Sequence, residues 1–132
     1  PWLDKVHGKS TQHKCELVDL YPTVSSLCTL NPPEYLQGQR MVPILKDVET
    51  DLWKKDTVFT VSTREGASLR NGKYRYTEWA RGAKGVELYD LENDPGEFSN
   101  VADQTEYRSI RDDLADQMKK KRRSAASALK SK

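Results

Sequence analysis

The run Gly85-Val86-Glu87-Leu88-Tyr89-Asp90-Leu91-Glu92-Asn93-Asp94-Pro95-Gly96-Glu97-Phe98-Ser99-Asn100 decides the fold. Val86 to Leu91 is mostly β-branched, aromatic and aliphatic and is bounded by a glycine, so it reads as a strand. Asp94-Pro95-Gly96-Glu97 reads as a capped helical turn. Asp94 offers an acceptor to a backbone N–H, Pro95 suits the first helical position, and Glu97 is placed to reach back to the cap.

Upstream of this run, Asn71-Gly72 is the strongest hairpin signal, because both residues tolerate the positive φ of a type I′ turn. A two-residue loop there pairs Arg70 with Lys73, Leu69 with Tyr74, Ser68 with Arg75 and Ala67 with Tyr76. Ala67, Leu69, Tyr74 and Tyr76 then share one face, and Ser68, Arg70, Lys73 and Arg75 the other. One apolar face and one polar face is what a half-wet antiparallel sheet requires. Thr57 to Thr63 is strand-like in composition. Downstream, Asp103 and Glu106 have capping-box spacing. Tyr107, Ile110, Leu114 and Met118 follow at helical spacing, with Arg108, Arg111, Asp112 and Asp116 on the polar side. The expectation is an α+β unit: an antiparallel sheet of about four strands packed by a long C-terminal helix.

The first part of the chain is less regular. Pro1 to Lys14 is polar. Cys15 to Leu20 is apolar enough to be buried. Pro22 opens a helix whose Val24, Leu27, Cys28 and Leu30 are spaced for one buried face, ending before Asn31-Pro32-Pro33. Asn31-Pro32-Pro33-Glu34 offers a second helix start, with Gly38 as its stop. Met41 to Leu45 is a small apolar cluster around Pro43. Three segments follow from this: 1–56, irregular with short helices; 57–118, sheet and helix; and 119–132, a basic tail.

Hydrophobic residues make up 36% of the 132-residue chain and charged residues 32%, which supports a modest core. The chain opens on Pro1-Trp2 and reads as a processed or truncated product. No apolar run is long enough to span a bilayer. The small net charge of +2 conceals an asymmetry. Lys119, Lys120, Lys121, Arg122, Arg123, Lys130 and Lys132 crowd the tail, and the body carries 15 cations against 20 acids. The tail reads as a solvated or frayed end able to adhere weakly to a polyanion. Cys15 and Cys28 are too few for a disulfide framework, and spacing does not establish a bridge between them. Cys28 reads as a small core residue.

Three segments, in order, resemble type I sulfatases, with the iduronate-2-sulfatase-like subgroup the nearest match. Glu16-Leu17-Val18-Asp19-Leu20-Tyr21-Pro22-Thr23 is similar to the family's V-E-L-V-D-L-Y-P-T-L, with Val24 where leucine is usual. Leu36-Gln37-Gly38-Gln39-Arg40-Met41-Val42-Pro43-Ile44-Leu45 resembles L-x-G-x-S-L-x-P-L-L, with Arg40 where serine is common. Ser68 to Trp79 resembles the R-T-x-x-Y-R-Y-T-x-W hairpin, and Glu87 to Asn100 the E-L-Y-D-L strand with D-P-x-E-x-x-N. The resemblance covers about Glu16 to Asn100. It implies the last piece of an alkaline-phosphatase-like α/β sulfatase core together with its C-terminal subdomain. It also implies a parent enzyme that hydrolyses sulfate esters on sulfated carbohydrate, in a periplasmic, extracellular or lysosomal setting.

Family sulfatases use a formylglycine made from Cys or Ser in a C-x-P-S-R-type motif, and a calcium ion held by clustered acids and amides. Cys15 continues as E-L-V-D and Cys28 as T-L-N-P, so neither matches. The resemblance therefore places formylglycine and calcium in an N-terminal catalytic part of the same protein, and no catalytic or metal residue in this chain. His7 and His13 lack a third ligand and read as surface residues. Asp112 and Asp113 point to different sides of a helix. Gly8-Lys9-Ser10-Thr11 lacks the upstream glycine and strand of a phosphate loop. Lys73 to Tyr76 with Trp79 has the composition of a nucleic-acid stacking platform, but the register turns the tyrosines inward, which argues against nucleic acid. The substrate-side candidates are Trp79 and Arg81, at the hairpin end. The competing reading is a stand-alone module that holds an anionic polymer with the hairpin and the basic tail.

Overall fold

The computed structural model describes residues 5–62 and 65–130, with side chains described through 126. Residues 1–4, Thr63 of the expected first strand, and Lys132 lie outside the described residues. The chain divides into two compact units, Pro1–Asp56 and Thr57–Lys132.

The second unit is a four-stranded antiparallel sheet in simple meander order: β1 (Val58–Val61), β2 (Gly66–Arg70), β3 (Tyr74–Trp79) and β4 (Val86–Asp90). One face carries Ala67, Leu69, Tyr76 and Leu88, which pack with Val101, Ala102, Leu114 and Met118. The last two belong to the long helix α3 (Arg108–Lys130). Leu69, Leu88 and Met118 are fully buried. The alternation of faces is as expected, but the hairpin register differs by two residues. Leu69 faces Tyr76, and Arg70 faces Arg75. Asn71 pairs with Tyr74 through a backbone bond, Asn71 N to Tyr74 O at 3.0 Å, so the loop is Gly72-Lys73. Neither Asn71 nor Gly72 has positive φ. The physical reason is the Asn71 side chain. Its Oδ1 accepts from Lys73 N at 2.9 Å and Tyr74 N at 2.6 Å, closing the turn as an Asx turn one residue later than a type I′ loop. A slip of two preserves which side chains face the core.

Two expected helix starts are turns. Asp94 accepts from Ser99 N at 2.8 Å, but Glu97 bonds Arg75 Nε at 3.2 Å instead of reaching back to a cap, and no helix forms at 94–97. The C-terminal helix begins with a 3-10 turn, Thr105–Tyr107, after Gln104 and without a side-chain cap, so the Asp103/Glu106 box is not made. Residues 119–130 continue α3 as helix. The outer edge of β4 is closed by Asn100. Its Oδ1 accepts from Leu88 N at 2.9 Å and its Nδ2 donates to Val86 O at 3.2 Å.

In the first unit a 3-10 turn, Leu17–Asp19, runs into α1 (Leu20–Leu27), and α2 (Val42–Lys46) follows with Pro43 in its first turn. Thr29, at φ +57, ends α1; Thr29 N bonds Ser26 O and Leu30 N bonds Ser25 O, the two bonds of a Schellman cap. No helix forms at 31–38, where Asn31-Pro32-Pro33-Glu34 leads only into a turn. Gly38 is needed for a different reason. A Cβ there would lie 1.9 Å from Val18 O, so only glycine lets this segment cross the 3-10 turn. The expected burial is inverted. Leu17, Val18, Leu20, Val24, Leu27 and Leu30 are exposed, as are Cys15 and Cys28, whose thiols are free. The fully buried side chain of the segment is Asp19.

Truncating the core should separate these classes. Leu88→Ala and Leu114→Ala are each expected to cost about 2–5 kcal/mol in urea unfolding. Leu52→Ala, at a side chain 83% exposed, should change stability by less than about 0.5 kcal/mol.

Candidate functional site

The first unit is organised around one carboxylate. Asp19 accepts from Glu16 N and Gln39 N, both at 2.8 Å, and from Lys55 Nζ at 2.6 Å. Lys55 Nζ also reaches Glu16 Oε2 at 2.6 Å and lies 5.6 Å from the centre of the Trp53 ring. Trp53 is itself buried and donates Nε1–H to Lys14 O at 3.0 Å. One helical turn on, Thr23 Oγ1 donates to Asp19 O and accepts from Met41 N. Four chain segments, at 14–16, 19–23, 38–41 and 53–55, are thus tied by polar bonds where a larger domain would use a hydrophobic core. Burial pushes the Asp19 carboxyl up, but the Lys55 bond and the two N–H donors outweigh it and hold it below its ordinary value. Burial likewise pushes Lys55 down, and its bonds to Asp19 and Glu16 outweigh that and hold it above its ordinary value.

The second unit carries two acids on its core-facing side, at opposite ends of the sheet. Asp90 accepts from Asn93 Nδ2 at 2.9 Å and from Tyr107 Oη at 3.4 Å. Burial raises its carboxyl, but the Asn93 side chain and the N–H groups of Asn93 and Glu92 together hold it low. At the other end, Glu78 accepts from Tyr76 Oη at 3.1 Å and Arg122 Nη2 at 3.3 Å. Burial first, and then Glu78, push the Tyr76 hydroxyl up, so it stays a donor.

Trp79 and Arg81 sit at this second end. Trp79 is half-buried; its Nε1 donates to Glu87 at 3.0 Å and its ring lies over Gly66, where a Cβ would come within 2.8 Å. These contacts hold the Trp79 ring against Gly66 and its indole N–H on Glu87. Arg81 is exposed and lines a groove of about 640 Å³ beside Glu78 and the second half of α3. Arg81 shares this groove with Arg122 and Arg123 of α3, two residues that charge alone assigns to a tail. Among the described residues, no three His, Cys, Asp or Glu side chains gather into a metal-sized cluster. No helix among the described residues is long and apolar enough to cross a membrane.

A four-stranded antiparallel sheet with a long C-terminal helix is the architecture shared with sulfatases of the alkaline-phosphatase-like fold. The sequence pattern of the family described as N-sulphoglucosamine sulphohydrolase, C-terminal, matches residues 2–124, and the chain belongs to that family. A Delta 4,5-hexuronate-2-O-sulfatase of Bacteroides thetaiotaomicron is 32% identical over 102 residues, 70% of this chain and 20% of that protein. A solved 2-O GAG sulfatase superposes with a TM-score of 0.70 at 27% identity, covering 86% of this chain and 26% of that one. A phosphonate monoester hydrolase from Silicibacter pomeroyi shares the fold, with a TM-score of 0.74 at 22% identity over 89% of this chain and 26% of that one. The chain spans about a fifth of the length of the curated relatives it matches.

Lys55→Met should test the polar knot. It leaves Asp19 buried without its cation, at an expected cost of about 3–5 kcal/mol. Because Asp19 titrates below its unfolded value near 3.9, its contribution is present above that pH and is lost as pH falls through the lower folded value. Lys55 titrates above its unfolded value, so its contribution is present below about pH 10.4 and is lost as pH rises through the higher folded value. Unfolding curves between pH 2 and pH 7 should show the acid loss in the native chain. A flatter dependence is expected in Asp19→Asn.

Proposed function

We propose that this chain is the C-terminal part of a sulfuric ester hydrolase that acts on sulfated carbohydrate. In this reading the chain's role is structural and pocket-supporting. The catalytic centre, with its formylglycine and calcium, belongs to an N-terminal part of the same protein. The family membership and the names of the matched relatives support the reaction class and the substrate class.

The observation that carries the structural role is the exposed apolar face of the first unit. Leu17 is 85% exposed and Leu30 63%, with Val18, Leu20, Tyr21, Val24 and Tyr35 also open. Leu17, Leu20, Tyr21 and Val24 recur at helical spacing on one side of the segment, and exposed apolar side chains grouped in this way mark an interaction surface. The buried Asp19 knot fixes the backbone beneath it, so the face is preorganised and costs little ordering entropy to dock. Its occupant in this reading is the N-terminal catalytic part of the same protein. Trp79 then acts as a support for the hairpin end, and Arg81 as a residue that meets the anionic substrate. A catalytic constellation needs such backing to hold its geometry.

The test is a double substitution, Leu17→Glu with Val24→Glu, in the full-length protein. Both side chains are exposed in this chain, so the chain alone should keep its melting temperature within a few degrees. Sulfatase activity of the full-length variant should fall at least tenfold through failed docking. Unchanged activity would refute the reading, as would turnover of an aryl sulfate by the chain alone.

A further inference from the structure

The groove beside Glu78 holds a charge arrangement that a supporting role does not use. Its cations are Arg81 from the turn after β3 and Lys119, Arg122 and Arg123 from α3. Lys119 bonds Asp116 at an exposed site, a pair of small worth. Arg122 gives one long bond, 3.3 Å, to Glu78, while its Nε–H is buried without a partner. Phe59, Val61 and Ala125 add apolar side chains to the lining of the groove. The α3 residues come at positions i, i+3 and i+4, so the helix presents them on one side.

The backbone that carries Arg81 is strained. Ala80, Arg81 and Gly82 have φ of +49°, +58° and +91° in succession. Ala80 and Arg81 pay for that conformation, and glycine would hold it without strain. A side chain kept at a costly position, over a groove that already holds three cations, points to a ligand.

We propose that this groove binds a sulfate-bearing segment of an oligosaccharide, with Arg81, Arg122 and Arg123 on the sulfate and Glu78 on a neighbouring sugar hydroxyl. Guanidinium groups take tetrahedral oxyanions through paired N–H donors. A sulfated sugar also offers hydroxyl donors, and Glu78 is an acceptor set among the cations. A DNA backbone offers acceptors and no hydroxyl donor along its length, so it gives Glu78 nothing to accept. It would also call for exposed aromatic faces, whereas Tyr76 is turned into the core. The assignment rests on the reading that the whole protein handles sulfated carbohydrate, and it adds which surface holds that carbohydrate and how.

Binding is measured on the chain itself, so its outcome is separate from the docking and turnover tests above. A fluorescent heparin hexasaccharide is titrated at two salt concentrations. Arg122→Gln/Arg123→Gln should lower affinity at least tenfold and give a shallower salt dependence, since fewer counterions are released. Arg81→Gly should lower affinity several-fold while raising the melting temperature, because the strain is relieved as the cation is lost. That opposite movement separates binding from folding even if the double variant is unstable. Lys9→Gln/Lys54→Gln, on the first unit, should bind like the native chain. Native-like binding by the groove variants overturns the proposal, and so does an equal loss in the Lys9/Lys54 variant. Equal affinity for a hyaluronan hexasaccharide, which carries carboxylates without sulfate, overturns the sulfate assignment. Equal affinity for a 12-nucleotide single strand overturns the carbohydrate assignment.

Discussion

The Asp19–Lys55 ion pair is the constraint on which the first unit depends. A buried pair of this kind is a weak source of net stability, because removing two charges from water offsets most of their attraction. Its effect here is positional. Each oxygen of Asp19 is directed by a different segment, and Lys55 is fixed in turn by Glu16 and Trp53. A knot of directed bonds specifies one backbone path where few apolar side chains are available for packing. The apolar side chains are thereby left outside, on a face with a defined shape.

The two units reach order by different routes. In the second, a sheet face and a helix stripe close on each other around Leu69, Leu88, Leu114 and Met118. Its two buried acids sit at the two ends of the sheet, where Asp90 and Glu78 each find partners from outside the sheet. The Asp90 end is closed by Asn93 and Tyr107. The Glu78 end is left open as a cationic groove.

Much of the second unit was legible in the sequence, because alternation and helical spacing report burial directly. Ala67, Leu69, Tyr76 and Leu114 all lie where their spacing puts them. The register was misread by two residues because Asn71 acts through its side chain, and propensity for a type I′ turn does not register that. The capping boxes failed for a related reason. Box spacing at 94–97 and 103–106 is necessary for the motif, but Glu97 had a better partner in Arg75, and Gln104 became the residue before the first turn. In the first unit the apolar spacing was real, but it marked a surface and not a core. Periodicity cannot tell a face buried within the chain from one kept open. A usable signal was a lone acid inside Leu17-Val18-Asp19-Leu20, since a charge in an apolar run is either an error of burial or a bonded centre. The groove was missed because Arg122 and Arg123 were grouped with a tail by charge, while Met118 shows the same helix still packed one turn earlier.

In the proposed reading, the open apolar face of the first unit is covered by the catalytic part of the same protein. Hydroxyl-radical footprinting of Tyr21 and Tyr35, both more than half exposed in this chain, tests it most directly. Both tyrosines should be labelled in the chain alone and protected at least fivefold in the full-length protein, with the radical dose set by an added standard peptide. Equal labelling of Tyr21 and Tyr35 in the two samples would contradict it.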